Sequence, residues 1–511
     1  MVYLGPSRGC YSCKRRRKKC DQTRPACMRC TKAHRVCAGY EDGEISAFRQ
    51  YIPLLNDQAP PMITAARKCS LPVRVPIPGT DHFPEDKKPS EVTEEQRSEF
   101  ALRAFFYDYN VLSTSRSLSR EYLPGLEAMT RRLGPKSDLV KACQAVGFAS
   151  HGKILNRPNL VAKAEMYYQE LLETLGRAVK GLASENLGES RWVAMLLGLY
   201  QIAMATEIDP GSHCTHAKGA FALMRHAPSG SRAFDKHRLK EDRYSNVAAD
   251  GSASHHICDV VPELHDTFPY VSVVFSAPAL EGLPTLLLEL QRLWIQHEYL
   301  SATDKANAVN TRGFSLLRRF ADWQESRLAE FKPTIVTHIP RAGPELDHPV
   351  GYWPGRVETY FDLYVSGAWN VFRIARLLLI HLCIESSGDA DDKSLQIEYA
   401  QEADLIVEDV FASIPYHLTD NLPEFTSEMV SDSKEMDPGR TLGGLLLLHP
   451  LYAVSRLPFI SEERKSHARM CLAWIEMKMG LGQAGVLVKK VDIDRTYLIS
   501  GFAIIWSGFL T

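Results

Sequence analysis

Six cysteines fall between residues 10 and 37, in the order Cys10-x2-Cys13-x6-Cys20-x6-Cys27-x2-Cys30-x6-Cys37. The pattern is an internal repeat: Cys-x2-Cys-x6-Cys occurs twice, joined by six residues. The six remaining cysteines (Cys69, Cys143, Cys214, Cys258, Cys383 and Cys471) are scattered singly. No apolar core of a secretory signal precedes Cys10, so the cluster reads as a metal site in a reducing compartment rather than a disulfide framework. A Cys-x2-Cys turn aims two thiolates at one ion, and thiolates suit zinc. Tetrahedral zinc takes four ligands, so six thiolates either fill one site with two spare or fill two sites by sharing two sulfurs. The repeat favours two Zn2+ ions, one per half, and the symmetric choice of shared ligands is Cys10 and Cys27.

Charge is as uneven as sulfur. Residues 1–40 hold 11 Lys or Arg and one acid, Asp21, while the rest of the 511-residue chain carries 49 bases against 60 acids. A basic head on an acidic body points to a head that meets a polyanion. The bases concentrate between the second and third cysteines, where Lys14, Arg15, Arg16, Arg17, Lys18 and Lys19 run without interruption. Such a run suits phosphate contact and import into the nucleus. Zinc modules that bind protein, of the RING or LIM kind, use other ligand orders and usually include His. A zinc-dependent protein–protein adaptor without specific DNA binding is the alternative reading.

With its six cysteines, basic run and Pro25, the stretch 10–37 resembles the fungal zinc binuclear cluster (Zn2Cys6) transcription factors. The resemblance implies a short helix in each half, the first entering the major groove at a CGG triplet. Carried over by position, Arg16 and Arg17 fall where that family contacts bases, and Arg paired with guanine O6 and N7 suits a G-rich triplet. Lys14, Arg15, Lys18 and Lys19 then meet phosphate. Lys14 and Arg17 exchange the Arg and Lys of the family's commonest wording. Pro25 matches a proline in the loop joining the halves. A weaker resemblance, through Gly39-Tyr40 and Phe48-Arg49, is to members with a long helical regulatory region. Implied further are a nuclear regulator of RNA polymerase II genes, contacts with the transcription machinery, and a secondary-metabolism or nutrient-use gene set.

Beyond the head, Pro53, Pro60, Pro61, Pro72, Pro76, Pro78, Pro84 and Pro89 make 41–92 a linker. No heptad repeat occurs there to pair two heads, although a homodimer stays open. Helical signals start at Thr93, where Gln96 three residues on completes a capping box. Helical spacing recurs over Ala162–Leu175, Trp192–Ala205, Leu286–Leu300, Tyr360–Ile384, Ala400–Phe411, Thr441–Val454 and His467–Met479. The expected fold is mostly α: a Zn2Cys6 domain at 1–40, the Pro-rich linker, and a large all-α regulatory domain at 93–511 with a polar insertion or loop at about 229–256. Uncharged apolar runs stop short of the ~20 residues that span a bilayer, so no membrane partner is expected. Tyr497–Leu510 reads as a buried C-terminal helix.

Several features invite sharper readings. The stretch from Gly147 to Gly152-Lys153 copies the first part of a phosphate-binding loop, but Ile154 stands where magnesium needs a hydroxyl and the context is helical. His213, Cys214 and His216, and His255, His256 and Cys258, repeat no ligand spacing. Acids at Asp389, Asp391 and Asp392, and at Glu402, Asp404, Glu408 and Asp409, fit an activation surface or solvated faces equally well. No Gly-x-Ser-x-Gly, His-Glu-x-x-His or dinucleotide fingerprint is present, and a non-enzyme is expected.

Overall fold

The computed structural model describes residue 13 and residues 20–21, 27–33, 93–181, 187–206, 274–341, 348–386, 393–428, 436–490 and 493–509. The linker at 41–92 and the insertion at 229–256 lie outside these. The chain divides into two compact units, Met1–Lys88 and Pro89–Thr511.

The first unit contributes α1 (Met28–Lys32). The second opens with α2 (Glu94–Tyr109), α3 (Leu126–Leu133), α4 (Asp138–Ile154), α5 (Pro158–Gly181) and α6 (Leu187–Met204). Next come α7 (Leu283–Tyr299), α8 (Ala302–Ala308) and α9 (Phe314–Glu325), the last two joined through a π-helical turn at Val309–Gly313. Strands β1 (Thr334–Ile339) and β2 (Gly355–Thr359) precede α10 (Leu363–Ser386), α11 (Lys393–Leu418) and α12 (Leu422–Glu428). The unit closes with α13 (Thr441–Arg456), α14 (Glu462–Met479), α15 (Gly482–Lys489) and α16 (Arg495–Ile505). Every helical stretch read from the spacing falls on one of these helices.

The Thr93 side chain accepts from the Gln96 amide at 3.2 Å and Gln96 Oε1 accepts from the Thr93 amide at 2.9 Å, so α2 starts on the capping box its sequence encodes. Helix α4 is buried on nearly all sides among α2, α5 and α6. Its small residues allow that approach: a Cβ on Gly147 would lie 2.3 Å from the Ala101 carbonyl oxygen of α2. The same glycine, with Gly152 and Lys153, produced the phosphate-loop look-alike. Here all three are helical, and Lys153 Nζ donates to the Ala203 carbonyl at 3.0 Å. A phosphate loop needs free backbone amides in a turn, so the resemblance is excluded.

Helix α10 forms the centre of the second unit and is buried all round from Tyr364 to Leu382, with Arg376 the partly exposed exception. By length and composition alone it could cross a bilayer, yet 89% of its most apolar window is buried inside the protein. That is the signature of a core helix. At the C-terminus, α16 runs into a 3-10 turn at Trp506–Phe509. The Phe509 ring meets Tyr122 and Tyr364 edge-on, at centroid distances of 4.8 and 5.0 Å. The buried C-terminal helix expected from Tyr497–Leu510 is therefore present over its described residues.

Among the described residues, a two-stranded sheet departs from an all-α body. Strands β1 and β2 pair antiparallel, from Thr334 opposite Thr359 to Ile339 opposite Gly355, with a bulge between Ile335 and Thr337. Thr334-Ile-Val-Thr-His-Ile339 is rich in β-branched residues, which suit a pleated ribbon. The β2 strand packs on α11 and carries a buried carboxylate, Glu358, into the core.

Glu358 starts a buried polar chain. Arg373 of α10 donates from Nη2 to Glu358 Oε2 at 2.8 Å, and from Nη1 to the Tyr360 hydroxyl at 2.8 Å and Asn370 Oδ1 at 3.2 Å. The Tyr360 hydroxyl donates to the same Glu358 oxygen at 2.5 Å. Asn370 Nδ2 donates to Ser413 Oγ at 2.9 Å. His417 Nε2 lies 2.8 Å from Ser366 Oγ, and its Nδ1 lies 3.2 Å from the Gly443 carbonyl. The chain thus ties β2, α10, α11 and α13 together. A second buried tie centres on Asp108 of α2, which accepts from the Thr441 amide at 3.1 Å and pairs with His151 of α4 at 2.8 Å.

Burial depresses the imidazole pKa of His417 and His467 to about 3 and of His449 to about 4. In the unfolded chain the same groups titrate near ~6.5, so the folded state binds fewer protons below that value. The stability held in their neutral forms is complete above pH ~6.5 and is lost as pH falls toward about 4, at a slope on the order of 1 kcal/mol per histidine per pH unit. Thermal unfolding of the full chain should therefore drop steadily between about pH 6.5 and about pH 4.5. An unfolding midpoint that stays flat across that interval would contradict the burial of these imidazoles.

Candidate metal centre and nucleic-acid interface

In the first unit the buried described side chains are sulfurs. Cys13, Cys27 and Cys30 are buried, and Cys20 packs against them partly exposed. None of the four forms a disulfide. The Sγ atoms of Cys13, Cys20 and Cys27 lie within 4.8 Å of one another, and Cys13 Sγ to Cys27 Sγ is 3.8 Å. A disulfide needs about 2.05 Å, so this is not one. Four sulfurs at ~2.3 Å around a tetrahedral ion are separated by about 3.8 Å along each edge. The spacing, the softness of the donors and their seclusion from water all fit zinc.

Local backbone chemistry puts Cys27 in place. It is the N-cap of α1, with extended dihedrals (φ −70°, ψ 142°), and its Sγ accepts from the Cys30 amide at 3.3 Å. Its carbonyl accepts from the amides of Cys30 and Thr31 at 3.0 and 3.1 Å and from the Thr31 hydroxyl at 3.1 Å. The Met28 amide, first of the helix, donates to Asp21 Oδ2 at 2.9 Å. The sequence marks Asp21 only as the sole acid of the head. Its seven-residue reach to Met28 matches no standard capping interval and could not be read in advance.

Of the sequence-derived site residues, the structure therefore brings together Cys13, Cys20 and Cys27, with Cys30 one helical turn beyond Cys27. Cys10, Cys37 and the basic run Lys14, Arg15, Arg16, Arg17, Lys18 and Lys19 lie outside the described residues, as do Pro25 and both His/Cys groups in 213–216 and 255–258.

Residues 8–43 match the profile of the fungal Zn(2)-Cys(6) binuclear cluster domain. Over 441 residues, 84% of this chain and the whole of the relative, the sequence is 37% identical to transcription factor dbaG of Emericella nidulans. The chain belongs to the fungal Zn2Cys6 transcription factors. A second relative, transcriptional regulatory protein moc3 of Schizosaccharomyces pombe, is 59% identical over 32 residues, covering 6% of each chain. No solved structure matches this one. Membership in the Zn2Cys6 family carries zinc binding, DNA binding and transcription regulation with it, speaks for a non-enzyme, and is typical of nuclear proteins. The long alignment also makes the helical unit a part of this zinc-cluster factor's shared architecture rather than an unrelated appendage.

The acids read as a possible activation surface are engaged within the helical unit. Glu402 pairs with Arg376, and Asp409 with Arg356. Arg464 contacts Asp404 at 3.1 Å and Glu408 at 2.8 Å, and the Trp353 indole N–H donates to Glu408 at 2.8 Å. Asp389, Asp391 and Asp392 lie outside the described residues.

Proposed function

We propose that this protein is a sequence-specific regulator of RNA polymerase II genes that reads CGG-type triplets through a two-zinc cluster. Cys10, Cys13, Cys20, Cys27, Cys30 and Cys37 are the six ligands, with Cys10 and Cys27 shared between the ions. The observation that carries this reading is the grouping of Cys27, first cysteine of the second half, with Cys13 and Cys20 of the first half. A ligand shared between the halves requires that company, whereas two independent half-sites would keep Cys27 with Cys30 and Cys37 alone.

Arg16 and Arg17 reach base edges in this reading, while Lys14, Arg15, Lys18 and Lys19 meet phosphate. Residues 1–40 are the DNA-binding domain, 41–92 a linker and 93–511 a regulatory domain. That last domain supplies contacts to the transcription machinery and, where sites are paired, the homodimer contact. The choice of a secondary-metabolism gene cluster as target rests on family resemblance alone. The protein acts in the nucleus.

Gel-shift titration of the zinc-loaded full chain with a CGG-containing duplex tests the core of this. Binding should vanish on adding a zinc chelator, weaken steeply with salt as counterions are retained on the duplex, and weaken when CGG is scrambled. Zinc analysis should give two ions per chain. Chelator-insensitive binding, or equal binding to scrambled duplex, would overturn the reading; capture of protein but not duplex by the zinc-loaded head would favour an adaptor.

A further inference from the structure

We propose that Asp21 is a positioning residue of the zinc cluster, a latch that joins its two halves and sets Cys20 beside Cys27. The proposal rests on the zinc-ligand reading above. Its basis is one hydrogen bond and where that bond sits. Asp21 directly follows Cys20, Met28 directly follows Cys27, and Asp21 Oδ2 accepts the Met28 N–H at 2.9 Å. The latch therefore lies one residue beyond two sulfurs that are themselves within 4.8 Å.

The ligand pattern does not require this acid. The cysteine repeat has a period of 17 residues: Cys10, Cys13 and Cys20 recur as Cys27, Cys30 and Cys37. On that period Asp21 recurs as Ala38, and Met28 corresponds to Tyr11. The acid thus stands only at the junction of the halves, where the chain must turn back from the third ligand to the fourth. It is also the only carboxylate side chain among residues 1–40. Surrounded in sequence by 11 bases, this carboxylate holds a backbone amide.

Two physical effects follow. Holding residue 21 against residue 28 closes the intervening loop, so that bringing the Cys20 and Cys27 sulfurs to one ion costs little further chain entropy. The bond also caps α1: Asp21 satisfies the Met28 N–H while Cys27 Sγ satisfies the Cys30 N–H, which fixes the direction in which Cys30 leaves the helix.

The role needs an acceptor at this atom, and it does not need a charge. Asp21→Asn keeps an acceptor oxygen and removes the charge; Asp21→Ala removes both. Zinc transfer from the full chain to a chromogenic chelator should be about tenfold easier for Asp21→Ala, the effect of losing one hydrogen bond to a charged acceptor, and within about threefold of wild type for Asp21→Asn. Cobalt(II) loaded in place of zinc should give the intense tetrahedral thiolate spectrum in wild type and Asp21→Asn, and a reduced one in Asp21→Ala at equal metal. If Ala and Asn release zinc alike, or if Asp21→Ala matches wild type, the latch is wrong while the zinc cluster stands. A wild-type chain that holds no zinc would overturn the cluster reading and the latch with it.

Discussion

Cys27→Ala should strip the head of most of its zinc and abolish specific DNA binding while the helical unit unfolds at its usual temperature. Cys27 is shared between the ions in the proposed cluster, so its loss leaves both one ligand short. Its sulfur is also the N-cap acceptor of α1, and its neighbours within 4.8 Å are Cys13 and Cys20. Cys30→Ala removes a ligand of one ion alone and should leave roughly one zinc behind. The size of the effect follows from where the head's stability comes from. Among the described residues its interior is cysteine, and structural zinc contributes on the order of 10 kcal/mol to folding a small domain of this kind. Because Met1–Lys88 and Pro89–Thr511 are separate compact units, the second should not register the change. Zinc stoichiometry, gel shift and a thermal melt on each variant check the set. Two zincs retained by Cys27→Ala, or equal losses in Cys27→Ala and Cys30→Ala, would contradict the sharing.

The second large effect lies in the helical unit. Arg373→Ala should cost about 3–5 kcal/mol, because it removes the buried cation from the buried Glu358 carboxylate and leaves it only the more exposed Arg356 at 3.8 Å. Both side chains are about 95% buried, and the guanidinium makes three hydrogen bonds, to Glu358 of β2, to the Tyr360 hydroxyl just beyond that strand and to Asn370 of its own helix. Glu358→Gln in the Arg373→Ala background should recover part of the loss, since the amide removes the unpaired charge and keeps the shape. A double-mutant cycle read by urea unfolding separates the two contributions. Arg373→Ala with an unchanged urea midpoint would show that water reaches Glu358.

How much of this was legible in the sequence follows from how local each signal is. The cysteine pattern needed only chain spacing, and the grouping of Cys13, Cys20 and Cys27 follows from it. Helix periodicity and the Thr93–Gln96 capping box are likewise local, and both hold. The β1–β2 pair was missed because β2 (Gly-Arg-Val-Glu-Thr) lacks a clean alternation and Glu358 reads as a surface acid. Its burial depends on Arg373, fifteen residues on in another element. The same holds for Asn370 and His417, partners across 47 residues that no window of sequence joins. Glycines 147 and 152 were a look-alike that Ile154 and the helical context already spoke against, and the helix bears that out. They look like a phosphate-loop fragment, but Gly147 is small because the Ala101 carbonyl approaches it. The acids at 402–409 suited two readings, and their pairing with Arg356, Arg376 and Arg464 was not legible in the sequence because those partners lie in other elements or 26 and more residues away.

The sulfur interior of the head has a consequence for how the molecule is made. The head leaves the ribosome before the helical unit, which follows it in the chain, and the earlier of two units ordinarily folds first. Among its described residues the buried cluster is cysteine, so on the zinc reading its folding waits on metal. The helical unit has a hydrocarbon core running from Ala101 to Phe509 and needs no metal among its described residues to account for that packing. One polypeptide would therefore mature on two clocks, translation for the helical unit and metal supply for the cysteine-rich head.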